Sequence, residues 1–478
     1  MRSTLSMAFA CVLGLAGAAH AQRATVVESV NQRSEQSWDM AKKIWGWAEP
    51  GYKETRSSAL LAGALKEAGF KIDMGVAGIP TAFTATLGEG KPVIGILGEY
   101  DALPGLSQEA VPERKVREGN SEGHGCGHHL FGVASAEACI ALAPALKAGK
   151  IKGTLRFYGC PAEEGGAAKV FMVRAGLFKD CAVVLHWHPS NRNVAGDGSC
   201  LARMAVKFRF HGKSAHAAGA PEKGRSALDA VELTNHAAQL LREHTPDLTR
   251  IHHVVTYGGG APNVVPDFAE VYYYVRHPEA DVVKGVYDRL VKCAQGAALA
   301  TETRLETAYL GGTREILPNG TLSDLLRNNL AKQNDLSYTA EERKFAVRLQ
   351  ETLTQPVALE SIRETADGSG YVGKGSTDVG DISWVVPTAG FSTACWVPGT
   401  PGHSWQAVAA GGTTIGKKGM LLAARTLAAT AWDLFHDARL IEAAKGEQQR
   451  RLEGREYRSL LEKDQKPPLD YRDPPRRK

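Results

Sequence analysis

The chain has 478 residues, too many for one ordinary hydrophobic core, which points to two domains or one large domain with an insertion. Apolar residues make up 43% and charged residues 23%, a soluble globular balance that excludes fibrous and disordered classes. Net charge is +5, but ten Lys/Arg against seven Asp/Glu lie between Glu447 and Lys478. The body is therefore close to neutral, and charge makes no case for a nucleic-acid partner.

In chain order, Arg2 supplies a weak positive charge, Leu5 to Ala18 is apolar, and Ala19-His20-Ala21 reads as a signal-peptidase site. The apolar stretch is shorter than the ~20 residues of a comfortable membrane span, and no later segment is read as crossing a bilayer. The mature chain is expected to begin at Gln22, after cleavage at Ala21, and to be exported to a bacterial periplasm with no membrane in the mature form, an uncleaved anchor being the alternative. Cys11 leaves with the leader, so seven cysteines remain, an odd number without the dense spacing of a disulfide scaffold. Most read as small buried hydrophobes; Cys126 is the exception.

Val26 to Ala68 has helical periodicity around Trp38, Ala41, Ile44 and Trp45. Short apolar runs follow (Val93 to Leu97, Thr154 to Tyr158, Ala182 to Leu185 and, later, Thr388 to Trp396), with helical stretches between them such as Leu130 to Ala148. This is the rhythm of a mostly parallel sheet covered by helices, an α/β body. Between about Ala202 and Gly312 the order becomes βαββαβ, that of a small ferredoxin-like sandwich inserted into the sheet. The expected division is a leader over residues 1–21, a catalytic domain over 22–201 and 315–447, a lid over 202–314, and a basic, Pro-rich tail over 448–478. The tail is expected to lie extended on the surface or to be disordered.

Chemistry-bearing residues fall in clusters. His124-Gly125-Cys126-Gly127-His128-His129 precedes an apolar helix, and its glycines let Cys126 and His128 bend toward one point. Thiolate and imidazole suit zinc and related metals, although a flexible Gly/His loop would look the same. Glu163-Glu164 follows a strand, and such a pair can divide metal binding from proton transfer; alone, a plain acidic loop is the simpler reading. His186-Trp187-His188-Pro189 ends another apolar run, Gly402-His403-Ser404 follows a fourth, and Asp101 follows the first. In an open α/β sheet, ligands gather at the carboxyl ends of parallel strands, so the combination outweighs its parts. The set exceeds what one structural zinc needs. Two metals sharing ligands would activate water and polarise a carbonyl, as amide hydrolysis demands.

The motifs GEYDALP, GHGCGHH, PAEEGG, LHWHP, KSAHAAGAPEKGRSALDA, NVVPDFAEVYYYVR and GTPGHSW, spread from Gly98 to Trp405, resemble the M20 family of metallopeptidases and amidohydrolases. The resemblance is to its aminoacylase-like branch, nearest the p-aminobenzoyl-glutamate-hydrolase-like subgroup. It implies two divalent metals, zinc or manganese, held by Cys126, His128, Glu164, His186 and His403, with Glu163 as the catalytic base. His186 matches the family histidine better than His188, because the proline follows it at the family's interval. It further implies that His216 on the lid reaches the partner subunit's active site to stabilise an oxyanion, and that Asn263 and Arg276 hold the substrate carboxylate. An arginine suits that task because its planar fork meets a carboxylate with two hydrogen bonds. Dimerisation through the lid follows from the resemblance, with a heteromer also open. Two departures stand out: Glu99 holds a place often filled by His, and His129 one usually filled by Asp. The expected reaction is hydrolysis of an N-acyl-amino acid amide, p-aminobenzoyl-glutamate-like substrates being favoured. The alternatives are a dipeptidase, a general aminoacylase, or a catalytically inactive metal- or substrate-binding relative.

Overall fold

A computed structural model describes residues 21–473; the leader expected over residues 1–21 lies, all but its last residue, outside them. The first part of the α/β body runs α1 (Ser34–Trp47), α2 (Thr55–Glu67), β1 (Lys71–Met74), β2 (Phe83–Glu89), β3 (Val93–Glu99), α3 (His128–Lys147), β4 (Gly153–Cys160), α4 (Ala168–Arg174), β5 (Val183–Ser190) and β6 (Asn193–Ala195). There follow β7 (Ala202–His211), α5 (Ala227–Arg242), β8 (Arg250–Tyr257), β9 (Phe268–His277), α6 (Ala280–Ala300) and β10 (Arg304–Thr313). The body resumes with α7 (Gly320–Gln333), α8 (Ala340–Gln350), β11 (Thr365–Asp367), α9 (Val379–Ser383), β12 (Thr388–Ala394), α10 (Trp405–Gly411), α11 (Thr414–His436) and α12 (Ala438–Leu452).

The large sheet has the order β1-β2-β4-β3-β5-β12-β6-β11. Its centre, β4-β3-β5-β12, is parallel, whereas β1 and β2 add antiparallel strands at one side. Every residue of β3 is buried, as a strand covered by helices on both faces requires. The outer β1 instead exposes Lys71 and Asp73, charges that discourage pairing at a free edge. Beneath the sheet, α3 packs against α11 in the main core. By length and hydropathy α3 would pass for a membrane span, contrary to the expectation that no later segment does. Its surroundings explain this, since a helix buried on all sides is apolar all round.

The second sheet, β10-β7-β9-β8, is antiparallel throughout and gives the βαββαβ order read from the sequence. Alternation sends Met204, Val206, Phe208 and Phe210 into a separate core under α5 and α6; Arg203 and Lys207 face the other way. The tail differs from the expectation of an extended or disordered end. After α12 it folds back between lid and body, because scattered large side chains anchor it. Tyr457 donates to Asp381, the Tyr309 hydroxyl donates to the Leu460 carbonyl, and Tyr471 is buried against the Tyr52 ring. Seven cysteines are free thiols among the described residues.

Candidate metal centre

Strand ends converge as the α/β topology requires. β3 delivers Glu99 and then Asp101, β4 the loop carrying Glu163 and Glu164, and β5 His186 and His188. Cys126 and His128 enter where Gly127, at φ 78°, turns the chain into α3. That left-handed conformation is cheap only for glycine. A side chain there would also strike Pro189, 2.7 Å from the position a Cβ would take. His403 is tied to this loop by its N–H, which donates to the Gly125 carbonyl at 2.9 Å.

Three donor groups overlap: Cys126, Glu164 and His403; Cys126, His128 and His188; and Glu99, His128 and Glu163. In each, the donor atoms lie within 4.8 Å of one another. Cys126 and His128 are shared, the pattern of adjacent cations with common ligands. Two close approaches, His128 Nε2 to Glu99 Oε2 and His403 Nε2 to Glu164 Oε1, are both 3.1 Å. Yet His128 Nε2, Glu99 Oε2 and Glu164 Oε1 are buried and make no hydrogen bond. Buried polar atoms are normally satisfied; here lone pairs converge on common points, and divalent metals fit them. Lys169, fully buried, fixes Glu99 by its other oxygen at 2.7 Å and reaches Asp378 at 2.6 Å. Asp101 holds the far side of His128, 2.8 Å from Nδ1, and accepts the Glu164 N–H at 2.9 Å. A carboxylate behind a ligating imidazole sets its tautomer and direction.

The electrostatics divide the two glutamates. Burial, then the charges of Glu99 and Glu164, raise the Glu163 carboxyl well above its ordinary range. Burial also pushes Glu164 up, but the neighbouring His403 outweighs it, and Glu164 ends lower than usual. Burial and Glu164 raise the Cys126 thiol; His188 and His128 more than compensate, holding it well below a free thiol. His403, beside Cys126 and Glu164, is lifted to about 11. One carboxyl suited to carry a proton thus stands next to one suited to bind a cation.

The structure brings together Cys126, His128, Glu163, Glu164 and His403 in these donor groups, and with them His188 rather than the expected His186. His188 Nε2 lies 3.3 Å from Cys126 Sγ, whereas His186 belongs to none of the donor groups. Both point to the same face of β5, two residues apart, so the neighbouring strand decides. His186 lies against Gly390 of β12, where a Cβ would come within 2.3 Å of its ring. Burial, with His188 and Lys169 nearby, holds that imidazole down at about 3. His129, in the place of the usual Asp, is structural: it is buried against the Gly411 carbonyl at 3.0 Å.

Arg276 lines a cavity of about 830 Å³ that Glu99, Cys126, Glu163, Glu164, His188 and His403 of the donor groups also line. His216 and Asn263 do not. They lie together on the exposed side of the lid, where the Ala217 N–H donates to the Asn263 carbonyl at 3.0 Å. Sequence reasoning missed Glu99 as a donor, Lys169 and Asp378 as its support, and two arginines that share the cavity, Arg203 and Arg472.

The sequence signature of the peptidase dimerisation domain matches residues 202–302. One subunit of the p-aminobenzoyl-glutamate hydrolase of Escherichia coli K12 is 41% identical over 458 residues, spanning 90% of this chain and 95% of that protein. The Xaa-Arg dipeptidase of Mus musculus is 28% identical over 436 residues, 88% of this chain and 90% of its own. Among solved structures, a dinuclear metal-binding M20 peptidase from Bacillus subtilis superposes with a TM-score of 0.56 at 18% identity, over 85% of this chain and 99% of that one.

Proposed function

The chain belongs to the M20 family of peptidases and amidohydrolases, and from that premise we propose that it hydrolyses the amide of N-acyl-amino acids, with p-aminobenzoyl-glutamate-like substrates favoured. The observation that carries this reading is the set of overlapping donor groups, Glu163 among them, with unsatisfied atoms along a large cavity. Zinc or manganese would be held by Cys126, His128, Glu164, His188 and His403, with Glu99 as a further donor. When bound, such metals lower the pKa of water and polarise an amide carbonyl.

The protein's own groups supply the rest. Glu163, raised by burial and by its acidic neighbours, takes a proton from the attacking water and returns it to the leaving amine. Asp101 keeps His128 facing the donors. Arg276 receives a substrate carboxylate. His216 and Asn263, exposed on the lid, would serve a partner copy. Dimerisation through this face is supported by β8, a free sheet edge that exposes Val254 and Val255. A heteromer is the other arrangement, since the Escherichia coli relative is one subunit of its enzyme. Export to the periplasm, with cleavage after Ala21, rests on the leader's composition.

The test is a hydrolysis screen of the purified mature chain. It compares p-aminobenzoyl-glutamate, acetyl-amino acids and dipeptides, each with Zn²⁺ and with Mn²⁺. Turnover of the first above the others is the expected result. Bound metal without turnover of any of them would mark the chain as an inactive binding relative.

A further inference from the structure

The open face of the lid carries like charges that no carboxylate pairs among the described residues. Arg203 and Arg276 stand directly opposite each other on the antiparallel β7–β9 pair, where like charges cost stability. They flank one ring, Tyr274, at 4.6 and 5.3 Å from its centroid. Arg203 is only 6% exposed. Burial and the charge of Arg203 hold Arg276 below the ordinary arginine range. Arg472, from the folded-back tail, is pinned by donation to the Glu164 carbonyl at 2.6 Å. Its neighbour Tyr471 is buried, and the Tyr471 carbonyl accepts from Lys207 of the lid at 3.3 Å.

None of these three arginines pairs with a carboxylate among the described residues. The Nε atom of each is buried without a hydrogen-bond partner, and so is Oγ1 of Thr313, which lies opposite Arg203 on β10. All four residues line the cavity that holds the donor groups. Of the acids lining that cavity, Glu99 and Asp378 are held by Lys169 and Glu164 stands beside His403, while Glu163 makes no ion pair with any of these arginines among the described residues. Unpaired guanidinium groups buried around a cavity are costly unless an anion fills it.

We infer that Arg203, Arg276, Thr313 and the tail-borne Arg472 form one anion cradle that selects for the second, side-chain carboxylate of the dicarboxylic amino acid which the substrate class proposed above would release. This rests on the amidohydrolase reading and adds to it. A single carboxylate takes two parallel hydrogen bonds from one guanidinium, so three such groups exceed what an α-carboxylate alone can satisfy. A second, side-chain carboxylate uses the remainder. The same cradle disfavours the cationic residue that an Xaa-Arg dipeptidase would release.

The test compares kcat/KM of the metal-loaded protein on 4-aminobenzoyl-L-glutamate and 4-aminobenzoyl-L-glutamine, in the wild type and in Arg203→Met and Arg472→Met. A site built to hydrogen-bond a substrate group rejects the analogue lacking it strongly. The wild type should therefore favour glutamate by at least about 100-fold, and each substitution should cut that ratio at least about tenfold. Arg472 sits on the tail, outside the core, so its variant guards against misfolding of the other. A glutamate-to-glutamine ratio unmoved in both variants overturns the cradle, whatever happens to absolute rates. Calorimetry with glutarate, which has no amide to cut, separates the two ideas. Should glutarate bind the wild type and weaken at least about tenfold in both variants while no acyl-amino acid is turned over, the cradle stands and the hydrolase reading falls. Turnover with equal glutamate and glutamine rates, and no glutarate binding, does the reverse.

Discussion

Asp101→Asn tests whether the donor cluster is organised from behind. Asp101 Oδ1 accepts from His128 Nδ1 at 2.8 Å and Oδ2 from the Glu164 N–H at 2.9 Å, in a fully buried position. An asparagine of the same size can accept only one of these bonds, because its NH₂ group meets the other donor head-on. It also loses the charge that keeps the proton on Nδ1 and leaves the Nε2 lone pair facing Glu99 and Glu163. Removing an outer carboxylate of this kind costs about 10–100-fold in metal affinity, or roughly 1.4–2.8 kcal/mol. Competition against a chromophoric chelator, with Zn²⁺ and with Mn²⁺ at fixed pH, measures it directly, and a thermal melt confirms that the variant is folded. Wild-type affinity in folded Asp101→Asn would show that His128 is positioned by something else.

Three further outcomes follow from the same geometry. Glu163→Gln should lower kcat by about 10²–10⁴-fold while elemental analysis finds the wild-type metal content; undiminished turnover would remove Glu163 from proton transfer. His188→Ala should lose metal and His186→Ala should keep it, and the opposite result would restore the ligand that the motif interval favours. Asp381, buried beneath the Arg314 N–H and the Tyr457 hydroxyl, is raised by burial from 3.8 to about 7. A raised folded-state pKa means the folded protein binds this proton more tightly. Its contribution is therefore complete below about pH 4 and is lost as pH rises to 7, by at most about 4 kcal/mol. The difference in unfolding free energy between wild type and Asp381→Asn should accordingly shrink from pH 4 to pH 7, and a constant difference would refute the assignment.

How much of this is legible in the sequence depends on what each residue needs to reveal itself. Asp101, Glu163, Glu164 and His403 are visible because they follow apolar runs, and strand ends of a parallel sheet meet. Cys126 and His128 are visible because glycines flank them. His186 and His188 are not separable by the same logic, since residues two apart on a strand share a face. Only the fold distinguishes their surroundings: Gly390 on β12 leaves room for the His186 ring, while His188 stands beside Cys126. Glu99 follows β3 just as Asp101 does, but a carboxylate bound to metal and one paired to lysine look alike in sequence. Only the buried Lys169, far along the chain, shows that one oxygen is fixed and the other left to face His128. The tail misleads for a compositional reason: its many charges outnumber the few anchors, Tyr457, Leu460 and Tyr471, that fold it back.

The arginines are hidden more deeply, because their meaning lies in register. Arg203 in β7 and Arg276 in β9 are ordinary solvent-facing residues of alternating strands until the pairing sets them opposite each other. Both α5 and β8 intervene between them in the chain, and a one-residue slip would send one of them into the lid core. The apolar face of each strand fixes the register: Met204 and Val275, which face each other directly, both belong to the buried lid core. Packing on the covered side of the lid therefore dictates that two like charges meet on the open side. An anion in the cavity they share with the donor groups would offset the cost of that meeting. The same residues that stabilise the lid thus place its unsatisfied charge in the cavity that Glu99, Glu163 and Glu164 also line.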